Sequence, residues 1–323
     1  MKLVPALALC LLPAACVPAV RRGPPTAAGY PEAVSLLGQP LYAPEPPTET
    51  RTRLEAQLAQ ARAEYERYPN DADALIWYGR RTAYLGRYRE AITIFSEGIK
   101  RHPRDPRMYR HRGHRFITTR RFARAAADLE RAARLIRGTR DEVEPDGMPN
   151  AAGVPTSTLH GNIWYHLGLA YYLRGDYRRA LNAFREAMEV ARNDDSRVAT
   201  SDWLYMTLRR LGRHEEARRV LEPIRREMTV LENHAYHRRL LMYKGELPPD
   251  SLLDPSGKDA VEIATQGYGV GNWYYYNGEV ARAEQIFRQV VSAENWAPFG
   301  YIAAEADLRR MRREGRPRQA SRE

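Results

Sequence analysis

Cysteine is almost missing from this chain: among 323 residues only Cys10 and Cys16 carry a thiol. Both fall in the first sixteen positions, so the rest of the chain has no disulfide and no thiolate chemistry. Lysine is nearly as scarce. Lys2, Lys100, Lys244 and Lys258 are the only lysines among 51 basic residues, and arginine supplies the rest of a formal net charge of +11. A charge excess keeps a protein soluble without choosing its partner, and no nucleic-acid-binding motif accompanies this one, so no nucleic-acid partner is expected. Apolar runs of the ~20 residues needed for a transmembrane helix are absent. Absent too are HExxH, a nucleophile elbow and a phosphate-binding glycine loop. No cofactor is expected, and the chain is not expected to be an enzyme.

The opening "MKLVPALALCLLPAACVPAV" has the form of an export signal. Lys2 is a short positive region, Leu3 to Leu12 an apolar core, and Ala14 and Ala15 are small residues near a cleavage point. "LPAAC" at 12–16 also resembles a bacterial lipobox, with Pro13 where that pattern usually has leucine. Residues 1–19 are therefore expected to be a signal peptide, with Cys16 as the lipidation site and the cell envelope or periplasm as destination. Simple secretion is the alternative. Residues 20–48, rich in Pro and Ala, are expected to form a semi-extended tether. Any membrane contact would then pass through the lipid alone.

Beyond residue 48, Ala, Leu, Arg and Glu dominate, which favours helices. Apolar positions follow a 3.6-residue period and no alternating strand pattern competes. In "WYHLGLAYYLRGDYRRALNAFREAM", residues 164–188, Trp164, Leu167, Gly168 and Tyr171 form one stripe of a first helix. Gly175 and Asp176 turn the chain, and Ala180, Phe184 and Ala187 form the packing stripe of a second. Small residues allow close approach of the two helices and aromatics fill the space between them. The frame recurs about every 34 residues. Leu75, Gly79, Ala91, Phe95 and Pro103 make one copy; Tyr109, Gly113, Phe116, Ala125, Leu129 and Ala132 make the next. Leu204, Leu208, Gly212, Ala217 and Leu221 follow downstream, then Gly271, Tyr274, Gly278, Ala283 and Phe287.

This frame resembles the tetratricopeptide repeat. The resemblance implies an all-α, right-handed helical solenoid whose first helices line a concave face, and a scaffold that binds protein or peptide there. The expected order is an N-terminal helix at 49–69, two repeats over 70–135, an inserted loop at 136–160 and four repeats over 161–296. The copy at 231–263 is degenerate, its second helix cut short by Pro248 and Pro249. A capping helix at 297–314 and a basic tail at 315–323 complete the chain.

Each first helix keeps a second stripe once its packing stripe is assigned. That stripe holds Trp77 and Arg80; Arg107, Arg110, His111 and His114; Asn162, Tyr165 and His166; Asp202 and Trp203; then Asn272 and Tyr275. Exposed aromatics beside Arg and Asn suit the gripping of a peptide, and the basic N-terminal half suits an acidic one. The same large aromatics could instead be packing in a tightly wound array. A different alternative is a metal-binding protein or metal-dependent hydrolase centred on His111, His114 and His166, with His160 or Asp202.

The loop interrupts the array between strong copies, since Gly113 and Gly168 lie 55 positions apart rather than about 34. Its acidic start, with Asp141, Glu142, Glu144 and Asp146, is expected to fold over the arginines of the preceding repeat as a lid. Met148, Val154 and Leu159 are expected to hold it, since exposed ion pairs contribute only about 0–1 kcal/mol each.

Overall fold

The computed structural model describes residues 29–254, 256 and 260–314. The expected signal peptide, Cys16 and the expected basic tail lie outside them. All the elements below belong to one compact unit, Pro31–Glu323.

The fold is all-α, a tetratricopeptide-type stack of helix pairs. α1 (Thr48–Arg67) precedes five antiparallel pairs: α2 (Ala72–Tyr84) with α3 (Tyr88–Arg101), α4 (Pro106–Thr118) with α5 (Phe122–Leu135), and α6 (Leu159–Arg174) with α7 (Tyr177–Glu189). The last two are α8 (Asp194–Arg210) with the short α9 (His214–Leu221), and α11 (Ala260–Tyr276) with α12 (Val280–Val290). Between them α10 (His234–Tyr243) packs on α8 and α11 without a helical partner; Pro248 and Pro249 leave only a 3-10 turn, Pro249–Leu252. α13 (Phe299–Glu314) ends the array.

Polar residues start the helices. Asp71 accepts from the Ala74 amide, Asp105 caps α4 ahead of Pro106, and Asn193 forms a capping box with Ser196. Alanines of the second helices, among them Ala91, Ala125, Ala180 and Ala283, have no solvent exposure. The centre of the array is aromatic: Trp203 lies 5.1 Å from Tyr172 and 5.8 Å from Tyr268, which in turn stacks at 5.6 Å on Phe287.

Two segments behave differently from what the sequence suggests. Residues 31–44 were expected within a tether. Instead Ala33–Val34 pairs antiparallel with Pro40–Leu41, burying Ala33 and Leu41. Glu32 accepts the Arg89 amide at 2.7 Å, and Trp296 donates its indole N–H to the Tyr42 carbonyl at 2.5 Å. Backbone polar groups of this Pro-rich stretch thus find partners on the stack. α13 covers α11 and α12 as a cap would, but it also packs on α6. Its Glu305 and Asp307 are enclosed, which a simple cap does not require.

The repeat glycines mark where paired helices touch. A Cβ built on Gly168 would stand 2.5 Å from Phe184, and one on Gly79 would stand 2.5 Å from Phe95. Gly168→Ala should therefore destabilise the protein by roughly 1–3 kcal/mol, although alanine is the better helix former by about 1 kcal/mol. Denaturant unfolding checks this; a stabilised variant would mean that the ring has room to retreat.

Candidate functional site: a chamber on the first-helix face

The expected stripe is only partly open. Asp202, Trp203 and Asn272 have no solvent exposure, which corrects their placement as ligand contacts. Asp202 accepts from the equally buried Arg239 at 2.8 Å. Asn272 donates to the Tyr172 hydroxyl at 3.1 Å and accepts from Arg210 at 2.8 Å, while Tyr275 lies under the Arg210 guanidinium at 4.1 Å. Other helices cover them: Arg239 of α10 meets Asp202, Tyr172 of α6 and Tyr268 of α11 flank Trp203, and Arg210, held in turn by Asp307 of α13, meets Asn272; a helix's own periodicity carries no sign of such distant neighbours. Asp307 on α13 accepts from Arg210 at 2.7 Å, from Tyr268 at 3.1 Å and from Arg310 at 2.6 Å.

At the N-terminal end, Arg80 lies 4.4 Å over the Trp77 ring and Arg81 5.0 Å over it. Arg107 is engaged by Asp105 at 2.6 Å and by Asp73, which hold its charge firmly. Arg110 is buried and paired with Glu144 of the insert at 3.0 Å. The loop thus does meet an arginine of the preceding repeat, but through Arg110 and not Arg107.

The insert is held mainly by polar contacts; of the expected apolar anchors only Leu159 packs against the core. Met148 and Val154 are 54% and 50% exposed, and Leu159 is the first residue of α6. Arg80 donates to the Pro145 carbonyl and Arg81 to the Gly147 carbonyl, both at 2.8 Å. Asn162 donates to Glu144 at 3.1 Å and to Ser157 at 3.0 Å. Asn193 donates to the Thr156 carbonyl at 2.9 Å, and Thr156 donates to Glu232. A single antiparallel bridge, Val143 with Thr158, closes the base of the loop.

Between these parts lie two adjoining clefts, of about 270 Å³ and about 600 Å³. Both are lined by Glu232, Asn233, Tyr236 and Phe299; the smaller adds Tyr165 and His166, the larger His114 and Arg115. Tyr165 donates to the Tyr236 hydroxyl at 3.2 Å. Phe299, at the start of α13, stands 5.3 Å from the His114 ring and 5.6 Å from His166. Arg115, Tyr236, Glu232 and Phe299 were not foreseen. The spacing of Arg115, one helical turn after His111, places it on the same stripe; Phe299 carries no such signal, because only the fold brings it here.

Three histidines gather at this wall without forming a metal centre. Among the described residues no group of three or more His, Cys, Asp or Glu side chains is arranged to hold a metal ion. His111 stacks on Phe95 at 5.4 Å, and its Nδ1 accepts from Arg110 at 3.0 Å, which leaves that nitrogen unprotonated. His166 donates from Nδ1 to the Asn162 carbonyl at 2.6 Å, and the His114 and His166 rings are 4.4 Å apart. His160 is turned elsewhere, toward Thr139 at 3.1 Å. Burial, reinforced by neighbouring arginines, pushes His111, His114 and His166 well below the ordinary histidine range.

The stacked helix pairs define a helical-repeat protein. More specifically, residues 80–138 and 161–194 each match a family model described as the tetratricopeptide repeat. Arrays of this kind serve as protein-interaction scaffolds. No curated protein matches the chain in sequence. Among solved structures, a tetratricopeptide repeat protein from Parabacteroides merdae is similar at 15% identity and a TM-score of 0.48, covering 81% of this chain and 94% of the other. YrrB, described as a TPR protein with an unusual peptide-binding site, is similar at 15% identity and a TM-score of 0.41, covering 79% and 97%.

Two outcomes are expected. Glu144→Ala leaves Arg110 buried without its counter-charge and should cost about 3 kcal/mol or more, measured by denaturant unfolding. The three neutral histidines take up protons near pH 6.5 only when the chain unfolds. Stability should therefore fall as pH drops below 6.5, by ~1.4 kcal/mol per pH unit for each histidine. A melting temperature unchanged from pH 7.5 to 5.5 would show that the imidazoles protonate in the folded protein.

Proposed function

We propose that this protein is an exported, non-enzymatic scaffold, lipid-anchored at Cys16, that binds an acidic segment of another protein in the chamber between α4, α6, α10 and α13. The observation that carries the reading is the chamber itself. It is a partly enclosed space on the first-helix face with aromatic walls, Tyr165, Tyr236 and Phe299, and polar groups between them. Rigid aromatics give contact area at small entropic cost, which is why such residues dominate binding energy at protein interfaces. The insert forms one wall through Thr156, Ser157 and Thr158, so it acts as a fixed lip that narrows the entrance. An acidic segment fits the basic surroundings of α2 and α4. Export and anchoring follow from the leader and the "LPAAC" cysteine.

Two measurements test this. A photo-cross-linker placed at Tyr236 should trap a partner that the same group at exposed Arg131 does not; equal trapping at both sites would remove the chamber from consideration. Cys16→Ser should move the protein from the membrane to the soluble exported fraction. An unmodified mature N-terminus at Val20 would replace anchoring with simple secretion.

A further inference from the structure

The chain pairs its buried and half-buried arginines with carboxylates. Arg120 meets Glu305 at 2.9 Å, Arg210 meets Asp307 at 2.7 Å, Arg112 meets Asp128 at 2.7 Å, and Arg239 meets Asp202. The physical reason is plain: a guanidinium withdrawn from water without a counter-charge costs several kcal/mol. Around the chamber this accounting fails in one place. Arg80, Arg81, Arg110 and Arg115 gather on the inner sides of α2 and α4, and Glu144 answers only Arg110. Arg80 and Arg81 are satisfied by carbonyl dipoles of the insert. Arg115 has neither. Among the described residues, no carboxylate stands within ion-pair distance of it and no acceptor takes a hydrogen bond from it. Its guanidinium lies 5.5 Å over the Tyr88 ring. Burial, with Arg110 and Arg80 adding repulsion, pushes its pKa down to about 10.

The acids across the chamber do not meet this charge. Glu232 accepts from Thr156 and from Asn150, the latter at 3.2 Å. Glu262 accepts from Gln266 at 2.7 Å and lies 3.9 Å from Arg238. The larger cleft therefore has a guanidinium on one wall, with Tyr88, His114 and Phe299 beside it. We propose that Arg115 is the anchor for a carboxylate of the bound segment, an acidic side chain or a chain terminus, whose apolar neighbour lies against Phe299. This rests on the proposed function of the same chamber and adds a requirement to it: the segment must present an acid at that point. Arg80, Arg107 and Arg110, the arginines that the sequence singles out, are already occupied by the Pro145 carbonyl, by Asp105 and Asp73, and by Glu144.

The probes are a capped tripeptide, acetyl-Leu-Asp-Phe-amide, its Asn counterpart, and benzoate as a free acid, each titrated into the full-length protein and followed by NMR. The Asp peptide should bind about tenfold or more tightly than the Asn peptide, because only the former makes a charge-assisted pair with Arg115. Arg115→Gln should abolish that preference, Arg115→Lys should keep part of it, and Arg131→Gln, the same charge change at an exposed position, should leave it intact. Equal binding of the Asp and Asn peptides to the unaltered protein overturns the proposal, and needs no variant to fold. So does a preference that survives Arg115→Gln, or silence from all three probes. If benzoate binds in an Arg115-dependent manner while both peptides are silent, the carboxylate site stands and the peptide-binding function of the chamber falls.

Discussion

The array is held in its form by two buried carboxylates on its last helix. Glu305 takes the guanidinium of Arg120, at the turn between α4 and α5, and Asp307 takes Arg210 from the end of α8 and the Tyr268 hydroxyl from α11. A stack of helix pairs is ordinarily held by contacts between neighbours, each pair supporting the next. Here the second, fourth and last pairs are tied to a common helix. Arg120 adopts a left-handed backbone, φ 62°, while its side chain also donates to the Thr118 and Trp296 carbonyls. The N-terminal hairpin joins the same knot through the Leu36 amide, 3.5 Å from Glu305. Buried ion pairs gain little over apolar packing of the same shape, but removing one partner is costly. Their effect is to fix which helix lies where.

The insert answers a second electrostatic problem. Arginines crowd the inner sides of α2 and α4, and the loop brings one carboxylate and two carbonyls to them. In return the loop is ordered without a core of its own, its Met148 and Val154 left facing water. Burial, reinforced by the same crowding, keeps the nearby histidines neutral, so positive charge on this wall resides in guanidinium groups alone.

Much of the fold was legible because its period is short. Gly79, Gly113, Gly168 and Gly271 each face a large side chain of the following helix, and that local pairing prints itself in the sequence at fixed offsets. The second stripe was legible as a stripe, not as a surface. Nothing in the spacing of Asp202, Trp203 and Asn272 says whether water or another helix lies beyond them. The groups that cover them come from distant elements: Arg239 of α10, Tyr172 of α6, Tyr268 of α11, and Arg210, which α13 holds through Asp307. Charge gave partial help: the acidic loop and the basic helix were rightly matched at Glu144 and Arg110. Hydropathy misled, since Met148 and Val154 were assigned an anchoring role that backbone carbonyls and Asn162 perform. Residues 31–44 were misread for a related reason, their Pro-rich composition hiding how few apolar side chains suffice to dock a hairpin.

The tie between Arg120 and Glu305 spans 185 positions of the chain. Repeat arrays normally have low contact order, and their units can form one after another as the chain emerges. A closure of this length obeys a different clock. The early pairs can assemble from local contacts, but the guanidinium of Arg120 has no carboxylate to meet until the final helix has been made and delivered. Until then the Tyr268 hydroxyl, too, lacks the Asp307 carboxylate that accepts from it. The molecule thus converts a modular architecture into one that is finished all at once, from its end.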